Sequence, residues 1–79
     1  MNSKRREKLK TAHVYLNEAH SIVDNMYDEE TDALDNMPEN LQGSDRYEYM
    51  EECAQLLYDA ASSIESSIDA LEEVIYSSK

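Results

Sequence analysis

Residues 35–52 read DNMPENLQGSDRYEYMEE and hold the chain's one proline, Pro38, and its one glycine, Gly43. The long stretches on either side contain neither breaker, so this segment decides where the chain bends. Proline disfavours helical backbone at the residue before it, which predicts that a first helix stops near Asn36 or Met37. Gly43 supplies a flexible turn. Ser44 or Asp45 is placed to cap a second helix by accepting a hydrogen bond from a free backbone N–H, and Asp45 with Glu48 has the spacing of a capping box. Both acids also stand where the positive end of that helix dipole favours them.

Outward from this segment, apolar residues recur at alternating spacings of three and four. Before the proline these are Leu9, Ala12, Leu16, Ala19, Val23, Met26, Ala33 and Met37, with Glu30 breaking the series. After the glycine they are Tyr47, Met50, Ala54, Leu57, Ala61, Ile64, Ile68, Leu71 and Ile75, without a break. This rhythm lays each set along one stripe of a helix, and no strand-like alternation competes with it. The expectation is an all-α chain forming one domain over residues 1–79, with helices at about 4–37 and 45–77 and a turn at about 38–44. So short a connection makes the helices antiparallel neighbours, a two-helix hairpin with a coiled-coil-like seam. Equal distances from the turn then set Val23 against Ala61, Met26 against Leu57 and Ala33 against Met50. Glu30 falls opposite Ala54, where an acid can reach out past a small partner.

A chain of 79 residues is near the size below which one core rarely suffices. A second apolar surface is therefore expected off the seam. Tyr15, Ile22 and Leu34 on the first helix and Cys53, Leu56 and Val74 on the second supply it, either for a homodimer that forms a four-helix bundle or for docking on another protein.

Charge narrows the partner. There are 18 Asp and Glu against 7 Lys and Arg, a formal net charge of -11. Such a chain repels a phosphate backbone overall, so direct nucleic-acid binding is not expected and a protein with a basic surface is. The charges are also segregated. Residues 1–10 carry five of the seven bases, and residues 24–52 carry eleven acids with Arg46 the one base. In a hairpin these stretches become opposite poles. Lys4, Arg5, Arg6 and Lys8 then lie near Asp69, Glu72 and Glu73, with which cross-helix pairing is expected. The acidic pole comprises Asp24, Asp28, Glu29, Glu30, Asp32, Asp35, Glu39, Asp45, Glu48, Glu51 and Glu52. Carboxylates fixed on rigid helices can imitate the charge spacing of a nucleic-acid backbone and block a basic channel. Tyr27 and Tyr49, with Tyr47, are placed to add amphipathic contact area.

Catalytic and metal readings find little support. His13 and His20 lack the glutamate three residues earlier that a di-metal helical bundle uses, and each sits one step past a seam alanine, as a flank residue does. Glu48 with Glu51 and Asp69 with Glu72 resemble the carboxylate pairs of all-helical nucleotide pyrophosphatases, but they lie beside the seam. No nucleophile elbow or phosphate loop is present. The expectation is a non-enzymatic chain with no cofactor and no bound metal. Cys53 has no second thiol to pair with and reads as a small half-buried apolar residue. No apolar run approaches the ~20 residues of a membrane span, and the basic N-terminus leads into a polar segment without a signal-peptide core. A cytoplasmic protein without membrane association is expected.

The segment NMPENLQGSDRYEYMEE, followed by IESSIDALEEVI, resembles a pattern found in small acidic proteins of phages and mobile elements of Gram-positive bacteria. There a Pro-Glu-Asn-Leu-Gln turn, a Ser-acid-Arg cap and a Met-Glu-Glu helix start join two helices. The matching positions are Pro38, Glu39, Asn40, Leu41, Gln42, Ser44, Asp45, Arg46, Met50, Glu51 and Glu52. The resemblance covers the turn and second helix and extends to the first helix only in character. It implies a helical hairpin and a phage-linked origin, and transfers no activity or functional residue. Two functions stay open: an inhibitor or adaptor that binds a basic protein surface through the acidic pole, and a structural dimerisation module whose acids keep it soluble.

Overall fold

The computed structural model describes Met1 to Ser77 as two helices folded against each other, with no strand among the described residues. Helix α1 spans Ser3–Asp35 and helix α2 spans Asp45–Ile75, joined through a single 3-10 turn at Glu39–Leu41. The hairpin is a rod, 59 × 14 × 14 Å.

The breakers act as their chemistry dictates. α1 ends at Asp35 with Asn36 as its C-cap, and the Met37 N–H turns back to the Leu34 carbonyl at 3.1 Å. Pro38 starts the 3-10 turn with φ -57 and ψ 144. The Leu41 N–H donates to its carbonyl at 2.9 Å. Gly43 sits at φ 88, the left-handed region that favours glycine. Ser44, not Asp45, is the cap of α2: its Oγ accepts from the Tyr47 N–H at 3.2 Å. This leaves Tyr47, not a glutamate, at the third position, so Asp45 and Glu48 form no capping box and act only as favourable first-turn charges. At the other end, Asn2 caps α1 by accepting from the Arg5 N–H at 2.8 Å, a cap for which the Asn-Ser start was the available signal.

The α2 side of the seam is as the spacing predicts. Ala54, Ala61, Ile68 and Ile75 are buried at intervals of seven. Tyr47, Met50, Leu57, Ile64 and Leu71 are half-buried between them. On α1, Leu9, Ala12, Leu16, Ala19 and Val23 are half-buried as expected. Beyond Val23 the expected positions Glu30 and Met37 stay half-buried, but two levels are exchanged. Met26 is 45% exposed and Ala33 is exposed, while Tyr27 is half-buried and Leu34 is buried. At the first level the Tyr27 ring packs on Tyr58 from the second helix, and at the second the larger Leu34 is covered in place of Ala33. Leu34 therefore belongs to the core and not to an outer dimer face.

Glu30 stays on the seam, half-buried beside the level of buried Ala54. Even the best-covered core residue, Ile75, keeps 3% exposure. Two helices alone cover one stripe each and leave their flanks to solvent.

Candidate functional site

Three cross-helix contacts mark one flank of the hairpin. His13 Nε2 lies 2.9 Å from Glu72 Oε1, His20 Nε2 lies 3.9 Å from Glu65 Oε2, and the rings of Tyr27 and Tyr58 sit 5.7 Å apart at 57°. Successive members are seven residues apart on both helices, as a ladder in an antiparallel pair requires. Asn17 Nδ2 further lies 3.2 Å from His13 Nδ1 and donates to the His13 carbonyl at 3.0 Å. The histidines are flank residues that stitch the helices together. No group of three or more His, Cys, Asp or Glu among the described residues is arranged to hold a metal ion.

This ladder corrects two expectations. The ring of Tyr27 is occupied against Tyr58, so it is a hairpin contact and not free area at the acidic pole. The bases Lys4, Arg5, Arg6 and Lys8 form no ion pair with Asp69, Glu72 or Glu73 among the described residues, and Glu72 is held by His13 instead. A short imidazole crosses the seam with little loss of rotamer freedom, whereas exposed long-chain pairs gain little over the cost of ordering them. Arg6 is half-buried with its Nε unpartnered.

At the turn end the acids come together as expected. Asp24 to Asp35 spans about 17 Å of α1 at a rise of ~1.5 Å per residue, and Asp45 to Glu52 covers the matching end of α2. All eleven are exposed except half-buried Glu30. They are spread over both helices and the turn and together form an acidic collar at that end, with Asp24, Asp28, Asp32 and Asp35 sharing one side of α1. Among the described residues none of them is in an ion pair. Their placement works against local helix stability. Asp32 and Asp35 occupy the last turn of α1, where the dipole disfavours carboxylates by ~0.3–1 kcal/mol each. Asp24, Asp28 and Asp32 stack at spacings of four, as do Glu48 and Glu52, and each such like-charge pair costs ~0.2–0.5 kcal/mol.

Tyr49 is the exposed tyrosine at this collar. Its hydroxyl pKa is raised above the usual 10.0, chiefly by hydrogen bonding with the Cys53 thiol, then by the charge of that thiol, slight desolvation, and the carboxylates of Glu30 and Glu52. Its phenol therefore stays a neutral donor beside the collar.

The flank opposite the ladder has a different character. From a seam position, four residues onward turns the helix about 40° one way, and one residue back turns it about 100° the other way. Tyr15 and Ile22 on α1 and Cys53, Ala60 and Val74 on α2 thus lie across the seam from His13, His20 and Tyr27. Farther round α2, Tyr49, Leu56 and Ala70 extend the same side, with Ser63 and Ser67 between. From Tyr49 to Val74 this stripe carries no charged residue. Of the expected dimer face, Tyr15, Ile22, Leu56 and Val74 are exposed here and Cys53 is half-buried.

Comparison with family models, with curated proteins and with solved structures finds no match to the chain. The all-α hairpin fold therefore rests on the structure itself, and among the described residues no helix is long and apolar enough to cross a membrane.

Proposed function

We propose that the chain is a non-enzymatic protein-binding module whose carboxylate collar occupies a basic, nucleic-acid-binding surface of another protein, as a small phage-encoded inhibitor acting in the cytoplasm would. One observation carries this reading: eleven carboxylates are gathered toward one end of a rigid rod, without ion-pair partners among the described residues, and those in the last turn of α1 stand against the preference of the helix dipole. Charges that weaken local structure are expected where function needs them. A solubilising role alone needs neither their concentration at one end nor their placement at the α1 C-terminus.

The collar supplies a long-range field that steers a basic partner and speeds encounter, with contacts weakening as salt screens them. Tyr49 adds an exposed neutral phenol at its edge. The experiment is capture from a bacterial lysate by the wild-type chain and by the Glu29→Lys, Glu48→Lys, Glu52→Lys triple variant, with helix content checked by circular dichroism. A protein captured by the wild type at low salt and lost with the folded triple variant supports the reading. Unchanged capture by the triple variant overturns it. A second reading, a structural dimerisation module, is favoured by the uncharged stripe of α2.

A further inference from the structure

We propose that a second copy of the chain covers the flank that bears the uncharged α2 stripe, turned end for end, so that two hairpins close into a four-helix bundle in which every neighbouring pair of helices is antiparallel. This rests on the flank and the charge distribution and is independent of what the collar binds.

The shape of the hairpin calls for a cover. Its accessible surface is 6020 Å², whereas a compact monomer of 9.1 kDa exposes about 4,900 Å². Its radius of gyration is 17.8 Å, against about 12 Å for a compact domain of this length. The excess is long helical flank, and on one side the α2 part of that flank is free of charge. Leu56 is 67% exposed there, with Tyr15 66% and Ile22 61% exposed on the adjoining α1 side between Lys8 and Glu29, more large apolar surface than a monomer usually leaves to solvent. The α2 stripe from Tyr49 to Val74 runs about 38 Å along the rod at ~1.5 Å per residue, which puts the interface at the small end of the range for specific pairs and fits a dimer that forms at tens of micromolar. Ala60, Ser63 and Ser67 at the middle of the α2 stripe let two backbones approach closely.

An isologous pair has two ways to use this face. A two-fold along the rod sets turn beside turn, and a two-fold across it sets turn beside termini. Charge decides between them. Residues 24–52 hold eleven acids and Arg46, a net of -10, while residues 1–10 hold five bases and Glu7, a net of +4. Turn beside turn brings two -10 collars within about one helix diameter, close to the ~8 Å screening length at physiological salt. End for end moves the collars to opposite halves of the bundle, with centres about 30 Å apart at ~1.5 Å per residue, well beyond the screening length, and lays the turn end of each toward the other copy's basic arm. A cross-rod two-fold at the level of Ile22 and Ala61 also lays the α2 stripe on itself. Tyr49 then falls near the level of the second copy's Val74, and Leu56 near that of its Ser67.

Sedimentation equilibrium of the full chain tests the association, and electron-spin distance measurement on a label at Gln42→Cys, in a Cys53→Ser background, tests the orientation. The expected result is a dimer at tens of micromolar, with dissociation constant raised about 100-fold by Leu56→Glu or Ile22→Glu, the scale of a charge forced into an interface centre. Both sites are exposed in the hairpin, so helix content should hold. Ser62→Glu and Gln55→Glu, exposed and off this flank, should leave the dimer unchanged. The two labels should lie near 50 Å apart at ~1.5 Å per residue. A chain monomeric to about 100 μM, a dimer indifferent to Leu56→Glu, or labels within about 20 Å of each other would each overturn the proposal. So would a monomer whose flank residues instead govern binding to a different protein.

Discussion

His13 and Glu72 join the two helices by a 2.9 Å contact between Nε2 and Oε1, and seven residues farther toward the turn on each helix His20 approaches Glu65. The register of the hairpin is thus written in a polar ladder as well as in its apolar seam. A double-mutant cycle on His13→Ala and Glu72→Gln measures the first rung. Both groups are partly exposed, so the expected coupling is ~0.2–1 kcal/mol, read by urea denaturation. A coupling of zero would show that the seam alone sets the register.

The two exchanged levels of α1 make a sharper prediction. Leu34 is buried and Met26 is not, so Leu34→Ala should cost ~2–4 kcal/mol and Met26→Ala within ~0.5 kcal/mol. Equal losses in chemical denaturation would return the seam to its strict seven-residue repeat.

At the turn, a Cβ on Gly43 would meet no heavy atom within 4 Å. The cost of Gly43→Ala is therefore the φ 88 backbone alone, ~1–2 kcal/mol. Gly43→Asn should recover part of it, since asparagine tolerates this region. Thermal unfolding of the three proteins gives the order.

Tyr49 binds its proton more tightly in the fold than in the unfolded chain. Its phenol then contributes stability that is full below the ordinary value of 10.0 and is lost as pH rises through the folded value. Ultraviolet titration of the wild type against Tyr49→Phe should show one tyrosine ionising above that value. Cys53→Ala should move it downward, because the thiol is the leading cause.

How much of this was legible in the sequence varies by element. The α2 seam was fully legible because its apolar positions repeat every seven residues without a break, and Ile64 and Ile68, which have no apolar neighbour, fix the register for Ala54 and Leu57, which do. On α1, Met26 stands beside Tyr27 and Ala33 beside Leu34, so two registers fit the same three-and-four rhythm. The choice is made by contacts across the seam, such as that of Tyr27 with Tyr58, and periodicity within one helix does not carry it. The ladder was hidden because polar rungs give no apolar signal. Its trace was nevertheless present in the matching sevens of His13, His20 and Tyr27 with Glu72, Glu65 and Tyr58. The collar was legible as soon as the bend at Pro38 and Gly43 was placed, since folding there brings Asp24 and Glu52 to one end.

The central claim is that this collar binds a basic protein surface, and the most direct test is the affinity of the captured protein for the chain as salt is varied. The account predicts that the dissociation constant rises steeply with ionic strength for the wild type, and that the Glu29→Lys, Glu48→Lys, Glu52→Lys variant binds at least about tenfold more weakly at low salt. A dissociation constant that is insensitive to salt and unchanged by the three reversals would contradict it.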